Sequence, residues 1–457
     1  MNKKVPVGMT VSLMIITAAL TVCITMLVSQ QVFSGTLSGL SQQRALFDKL
    51  YEIDEKIQQY YYGEYDQQEL YDGAAYGYVS GLGDPYAEYA SLEDSEKNAQ
   101  DNEGVGVGIG ITAVQHPDNK TIYVVHVDAA GPAAQAGIKE GDEILRIDGE
   151  LVADMEYVDA VQKLSGQVGE TVSLTVKTTA EDGSPVETSC SVTRSSFTRD
   201  SVYYHMSGTA GYIRITEFDE ATTEQFKNAV NQLISQGATG LIFDVRNNGG
   251  GLVDAAADML DFLLPEGDII SATYADGSTE VLHTSDASQI DLPMAVLTNG
   301  RTASAAELFA AAIRDYDKGV LMGEKTYGKG VMQRTYPLSD GSTVKFTIAA
   351  FNPPSGVNFN GTGLTPDLRV NMTDEQEKYY FMLSDQEDPV IAAAVSWITT
   401  GEVAPQSAAG DGQSAPASSG QDGSGGSSQP VGASSGVQTT SDSSSGSAPD
   451  NATSQSQ

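Results

Sequence analysis

Gly240-Leu241-Ile242-Phe243-Asp244-Val245 is an almost unbroken apolar run, and it hands the chain directly to Arg246-Asn247-Asn248-Gly249-Gly250-Gly251. A strand apolar at nearly every position is buried on both faces, as in a parallel sheet, and the helix predicted over 252–263 stops before Pro265. The same pattern recurs at 294–298 (MAVLT), where Asn299-Gly300-Arg301-Thr302-Ala303-Ser304 leads into an alanine-rich helix predicted over 303–314. A strand at 211–215 precedes a helix on which Phe226, Val230, Leu233 and Ile234 share one face, and strands are predicted near 319–323, 331–337 and 343–351. The alternation predicts an α/β domain whose chemistry sits in the two glycine-rich connections at the C-terminal ends of strands.

Working outward, residues 104–111 read GVGVGIGI, which is not G-x-G-x-x-G and is followed by no dinucleotide-binding unit. A strand at 121–127, a turn and helix over 131–145, a strand at 146–152, an amphipathic stretch at 155–166 and strands at 171–178 and 187–194 follow. With AGIKEGDEIL (136–145) at its centre, this order resembles a PDZ domain. The resemblance implies that Gly108, Ile109, Gly110 and Ile111 aim backbone N–H groups at the carboxylate of a peptide C-terminus, the peptide adding as a strand.

Ser304 alone reads as a helix cap. Tyr327-Gly328-Lys329-Gly330-Val331-Met332-Gln333 changes that, because a lysine between two glycines is placed by a turn and not by a solvated helix face. Together, DVRNNGGG (244–251), TASAAE (302–307), YGKGVMQ (327–333) and GTGLTPD (361–367), behind a PDZ-like segment, resemble the carboxy-terminal processing proteases, serine peptidase family S41. GLGDPYAEY (81–89) fits as well, and the resemblance runs from about residue 45 to 372. It implies an α/β protease core with a crotonase-like sheet, an inserted β-rich PDZ domain, and a Ser–Lys dyad of Ser304 and Lys329 supported by Gln333. It also implies an oxyanion hole from the backbone N–H groups of Gly250 and Ala305. Ala306 stands where the family has a second serine, Gly249 where it often has proline, and Arg301 where a small residue is common.

The chemistry has its own requirement. A serine hydroxyl needs a base, and none of His116, His126, His205 and His283 has a suitable motif context. A lysine serves only when neutral, so its ordinary pKa near 10.4 must fall through burial or a nearby cation. Gln333 can accept from the amine without adding negative charge, and Gly250 lets the backbone approach a tetrahedral oxyanion. Arg246, Asp244 and Asp367 are expected to be structural.

Composition bounds the rest. With 25 Lys+Arg against 61 Asp+Glu the net charge is −36, which repels a phosphate backbone and excludes nucleic acid as a partner. Two cysteines, Cys23 and Cys190, make no zinc site, and without H-E-x-x-H no metal or cofactor is expected. Val7–Val28 is free of charge for 22 positions behind Lys3 and Lys4. That length spans a bilayer, with the N-terminus cytoplasmic and the protease outside the cell membrane. From Glu402 onward, 29 of 56 residues are Ser, Gly or Pro, the composition of a disordered tail. The expected organisation is an anchor at 1–33, a helical region at 34–101, a PDZ domain at 102–194, a protease core at 195–400 and a tail at 401–457.

The function expected is a single-pass, membrane-anchored extracytoplasmic serine endopeptidase acting on protein or peptide substrates with free C-termini. The family resemblance adds a homodimer through the helical arm. The main alternative is a catalytically inactive peptide-binding scaffold; an acyl-CoA enzyme on a similar sheet would need neither Lys329 nor a PDZ domain.

Overall fold

The computed structural model describes residues 44–180 and 182–402, with eight helical positions between Met14 and Met26. The expected membrane segment Val7–Val28, apart from those eight positions, and the expected tail from 403 onward lie outside the described residues. Among the described residues, no helix is long and apolar enough to cross a membrane. The chain forms two compact units, Met1–Ala74 and Ala75–Gln457. In the first, residues 44–60 are helical, and Leu46, Leu50 and Ile53 are exposed.

The second unit is built on a six-stranded sheet ordered Val202–Ser207, Ala210–Ile215, Gly240–Asp244, Met294–Thr298, Gly319–Gly323, Leu368–Arg369. Every pairing is parallel except the first. Side-chain alternation divides its two faces. Leu241, Phe243, Met294 and Val296 enter a core with Phe226, Leu260 and Phe309 from the helices Thr222–Ser235, Val253–Leu263 and Ala305–Asp315. Ile242, Ala295 and Leu297 face the other way, against Val390, Ile391 and Ala394 of the helix Pro389–Thr400. Burial on both faces is why the two strands read as continuous apolar runs.

A second sheet joins Val331–Pro337, Thr343–Asn352, Gly267–Tyr274 and Thr279–Ser285. Glu88–Ala90 pairs antiparallel with Thr343–Asn352, so part of the segment expected to be a helical arm is a strand of this sheet.

The PDZ-like segment forms a sheet ordered Ile111–Gln115, Ile122–Val127, Glu143–Ile147, Thr171–Thr179, Pro185–Thr193, closed by the helix Tyr157–Leu164. One expectation is corrected here. The helix expected within 131–145 is only Pro132–Gln135, and the strand expected at 146–152 begins earlier, at Glu143–Ile147. Gly137 and Gly141 take φ of +82° and +85°, which ends the helix at once and turns the chain into the sheet. Val105–Gly108 leaves this sheet to pair with Ser195–Thr198.

Candidate active site

Because Gly240–Asp244 and Met294–Thr298 are parallel neighbours, the turns that follow them lie side by side. They are stitched together: the Asn299 side chain accepts from the Asn247 N–H and donates to the Asn247 side chain, each at 3.0 Å. Thr302 Oγ1 donates to the Val245 carbonyl at 2.8 Å, and the Ala303 N–H to the Asn248 carbonyl at 3.0 Å. Buried Asn248 also donates from Nδ2 to the Ile215 carbonyl at 2.9 Å.

Ser304 heads the helix Ala305–Asp315 with φ 58° and ψ −121°, a conformation that costs a non-glycine residue on the order of 1–3 kcal/mol. It is 8% exposed, at the positive end of a helix where the Ala306 and Glu307 N–H groups donate to the Ala303 and Ser304 carbonyls and the Ala305 N–H has no acceptor among the described residues. Gly250 packs directly against it: a Cβ there would lie 2.8 Å from Ser304 Cβ and 3.0 Å from the Ala305 nitrogen. The expected oxyanion donors are therefore adjacent to the serine. The Gly250 N–H, however, donates to Asn248 Oδ1 at 2.8 Å, so that donor is engaged and not open.

Glu307, which the sequence reading passed over, ties the serine turn to the lysine turn. Its fully buried carboxylate accepts from the Ser304 N–H at 3.0 Å, Thr326 Oγ1 at 2.5 Å, and the Gly328 and Lys329 N–H groups at 2.8 Å each. Burial pushes its carboxyl above the usual range, against the pull of those hydrogen bonds. Glu three residues after a helix-opening Ser is the capping-box pattern, and that signal was legible in TASAAE.

Lys329 is half-buried, and its ammonium lies over the Tyr86 ring, 4.6 Å from the centroid. Burial lowers its pKa and the Lys345 charge lowers it further, while Asp84 and Glu88 oppose. Gln333 does not hold it: the Gln333 amide donates to the Val331 carbonyl at 3.1 Å and to Thr347 Oγ1 at 3.2 Å. A register shift between Met332 and Gln333 turns this side chain toward Thr347. Among the described residues no hydrogen bond links Ser304, Lys329 and Gln333. The structure thus brings Ser304, Gly250 and Ala305 together, anchors Lys329 to the same carboxylate as Ser304, and directs Gln333 elsewhere.

Arg246, Asp244 and Asp367, expected to be structural, each hold an ion pair or hydrogen bond that ties elements of the fold together. Arg246 meets Asp244 at 2.6 Å and Asp388 at 2.9 Å, all buried, and Asp388 also caps the helix Pro389–Thr400. Asp367 accepts from the Leu321 N–H at 2.8 Å. In the glycine loop, the Ile109 carbonyl accepts from the Ala133 N–H at 2.7 Å and the Gly110 carbonyl from the Asp128 N–H at 3.2 Å. Ile109 and Ile111 are buried in the PDZ core, and Gly108 and Gly110 take φ of +150° and +78°.

Residues 209–370 match the model of peptidase family S41, residues 96–177 that of the PDZ domain, and residues 14–94 that of the activating protease CtpB N-terminal domain. Carboxy-terminal processing protease CtpA of Bacillus subtilis (strain 168) is 32% identical over 369 residues, covering 79% of this chain and 77% of its own. A protein of Staphylococcus epidermidis (strain ATCC 12228 / FDA PCI 1200), named "Probable CtpA-like serine protease", is 32% identical over 364 residues, covering 79% and 72%. A solved structure assigned to the S41 proteases, from Bacteroides fragilis NCTC 9343, shares the fold with a TM-score of 0.54 at 19% identity, covering 71% of this chain and 90% of that one. With those motifs in place around Ser304 and Lys329, the chain belongs to the carboxy-terminal processing proteases, PDZ-containing serine peptidases of family S41.

Proposed function

We propose that this protease is an endopeptidase in which Ser304 is the nucleophile and Lys329 the general base. The observation that carries the reading is the Glu307 carboxylate, which fixes the backbone of both residues from one buried point. Ser304 Oγ attacks the scissile carbonyl carbon while its proton passes to neutral Lys329 Nζ. The oxyanion is received by the Ala305 and Gly250 N–H groups. Collapse of the tetrahedral species expels the amine, which takes the proton from Lys329, and leaves an acyl-enzyme that water hydrolyses with Lys329 again as base.

Two local exchanges make the arrangement productive. Lys329 Nζ leaves the face of Tyr86 for Ser304 Oγ, with Gln333 as its orienting partner there, and the Gly250 N–H exchanges Asn248 Oδ1 for the substrate oxygen. Protein or peptide substrates with free C-termini are received at Gly108–Ile111 and added as a strand. Val7–Val28 anchors the enzyme as a single pass, protease outside, and the N-terminal helical region joins two copies. The core sheet is of the crotonase type.

Purified Ser304→Ala and Lys329→Ala should each lose cleavage of an unstructured protein such as casein, with thermal unfolding unchanged. Retained turnover in either overturns the dyad. External protease added to intact cells should degrade the core; full protection would overturn the topology.

A further inference from the structure

Tyr86 belongs to the segment ahead of the PDZ domain, yet its ring meets the amine of Lys329, 4.6 Å from the centroid. Among the described residues no hydrogen bond or ion pair reaches that amine.

The ring is held firmly. Asp84 Oδ1 accepts from the Tyr86 N–H and Asp84 Oδ2 from the Thr347 N–H, each at 2.9 Å. Glu88–Ala90 then runs on as a strand beside Thr343–Asn352, with Glu88 opposite Lys345. The Tyr86 hydroxyl shares a hydrogen bond with the Tyr327 side chain. Thr347 in turn accepts from the Gln333 amide through Oγ1 at 3.2 Å. One short turn, Asp84 to Tyr86, therefore fixes where the lysine rests and, through Thr347, where Gln333 rests.

An aromatic face attracts an ammonium and offers little to a neutral amine. The resting contact thus suits protonated Lys329, whereas attack by Ser304 requires the neutral form. We propose that Tyr86 is a positioning residue for Lys329, which retains the protonated amine on its ring and releases it toward Ser304 once the proton is lost to solvent. The inference rests on the reading of Lys329 as general base. The neutral amine then takes the Ser304 hydroxyl proton. Of the charges facing the amine, Lys345 disfavours the ammonium, and Asp84 and Glu88 favour it; Glu88 itself pairs with Lys345 at 2.6 Å. Removing the ring leaves these charges in place and takes away a contact that favours the charged form. The neutral base then becomes available at lower pH.

The test reads kcat/KM against pH for an unstructured substrate in the full-length chain, Tyr86→Leu and Tyr86→Phe. Tyr86→Leu keeps apolar cover over the amine and should move the rising limb roughly 0.4–1.5 units to lower pH. On the limb that is a gain of about 3- to 30-fold, with the plateau unchanged. Tyr86→Phe keeps the ring and should leave the limb in place. Trifluorophenylalanine in place of Tyr86 has the same shape and an electron-poor face, so it should move the limb as Tyr86→Leu does. A limb that stays or moves to higher pH in Tyr86→Leu, or a uniform loss at every pH, overturns the positioning role. In a Ser304→Ala background, acylation of Lys329 by acetic anhydride, mapped by peptide across pH, reports the amine without turnover. Its midpoint should move with the limb. If the midpoint moves and the limb does not, Lys329 is not the base, and the general-base reading falls with the positioning role while the resting contact stands.

Discussion

Two glycine-rich segments of this chain, around Gly250 and around Gly108, look alike as sequence and are held by different forces. A Cβ at Gly250 would collide with Ser304 Cβ at 2.8 Å and the Ala303 carbonyl at 2.9 Å, whereas one at Gly108 meets nothing within 4 Å. The first glycine is demanded by volume and the second only by its dihedral, with φ +150°. In the proposed mechanism the Gly250 turn presents one geometry to a developing charge, and its close neighbours leave Gly250 little room to move. The openness is local to Gly108, since a Cβ at Gly110 in the same loop would lie 2.7 Å from the Gly131 Cα.

The sharpest way to break that comparison is Gly250→Ala. The added methyl must displace the Ser304 turn, and turnover should fall on the order of 10²–10³-fold, the scale of a lost oxyanion donor. Steady-state kinetics with circular dichroism would check it, and near-normal turnover would show that the packing is not needed. Glu307→Gln should cost on the order of 10²-fold, because an amide NH2 would face the Ser304 and Lys329 N–H donors and displace both turns. Equal kcat for the two proteins would remove Glu307 from its positioning role.

A smaller effect is on pH dependence. In the proposed mechanism Lys329 acts unprotonated, and burial holds its pKa below the ordinary value, so kcat/KM should rise about tenfold per pH unit up to that lowered value and level off above it. Lys345→Gln removes a like charge, raises the Lys329 pKa, and should move the limb to higher pH. A profile that shifts downward would contradict the assignment. Gly108→Ala should be mildest: a dihedral cost of about 1 kcal/mol, read as less than about tenfold weaker peptide binding with kcat unchanged.

What the sequence conveyed followed the same division. Gly240–Asp244, Met294–Thr298 and the helices on them were legible because burial on both faces leaves an unmistakable apolar run. Ser304, Gly250 and Lys329 were legible through motifs that packing constrains. Edge strands were not: Glu88–Ala90 and Ile111–Gln115 exist through pairing with distant or later segments, and neither carries a strong local pattern. Gly267–Tyr274 and Thr279–Ser285 were missed although Asp276-Gly277 between them is a hairpin signal. The direction of Gln333 depends on a one-residue register shift, which no spacing along the chain encodes. Asn248, whose side chain takes the Gly250 N–H, was hidden inside a motif read for its glycines.

The contact between Arg246 and Asp388 joins the turn beside Ser304 to a helix 142 residues further along. A chain cut ahead of Asp388 would keep its central sheet and every residue assigned to chemistry. It would also leave the Arg246 guanidinium with Asp244 alone and uncover the sheet face against which Val390, Ile391 and Ala394 pack. The far boundary of the folded core is thus set by what covers the second face of its sheet, and a shortened version should carry that last helix.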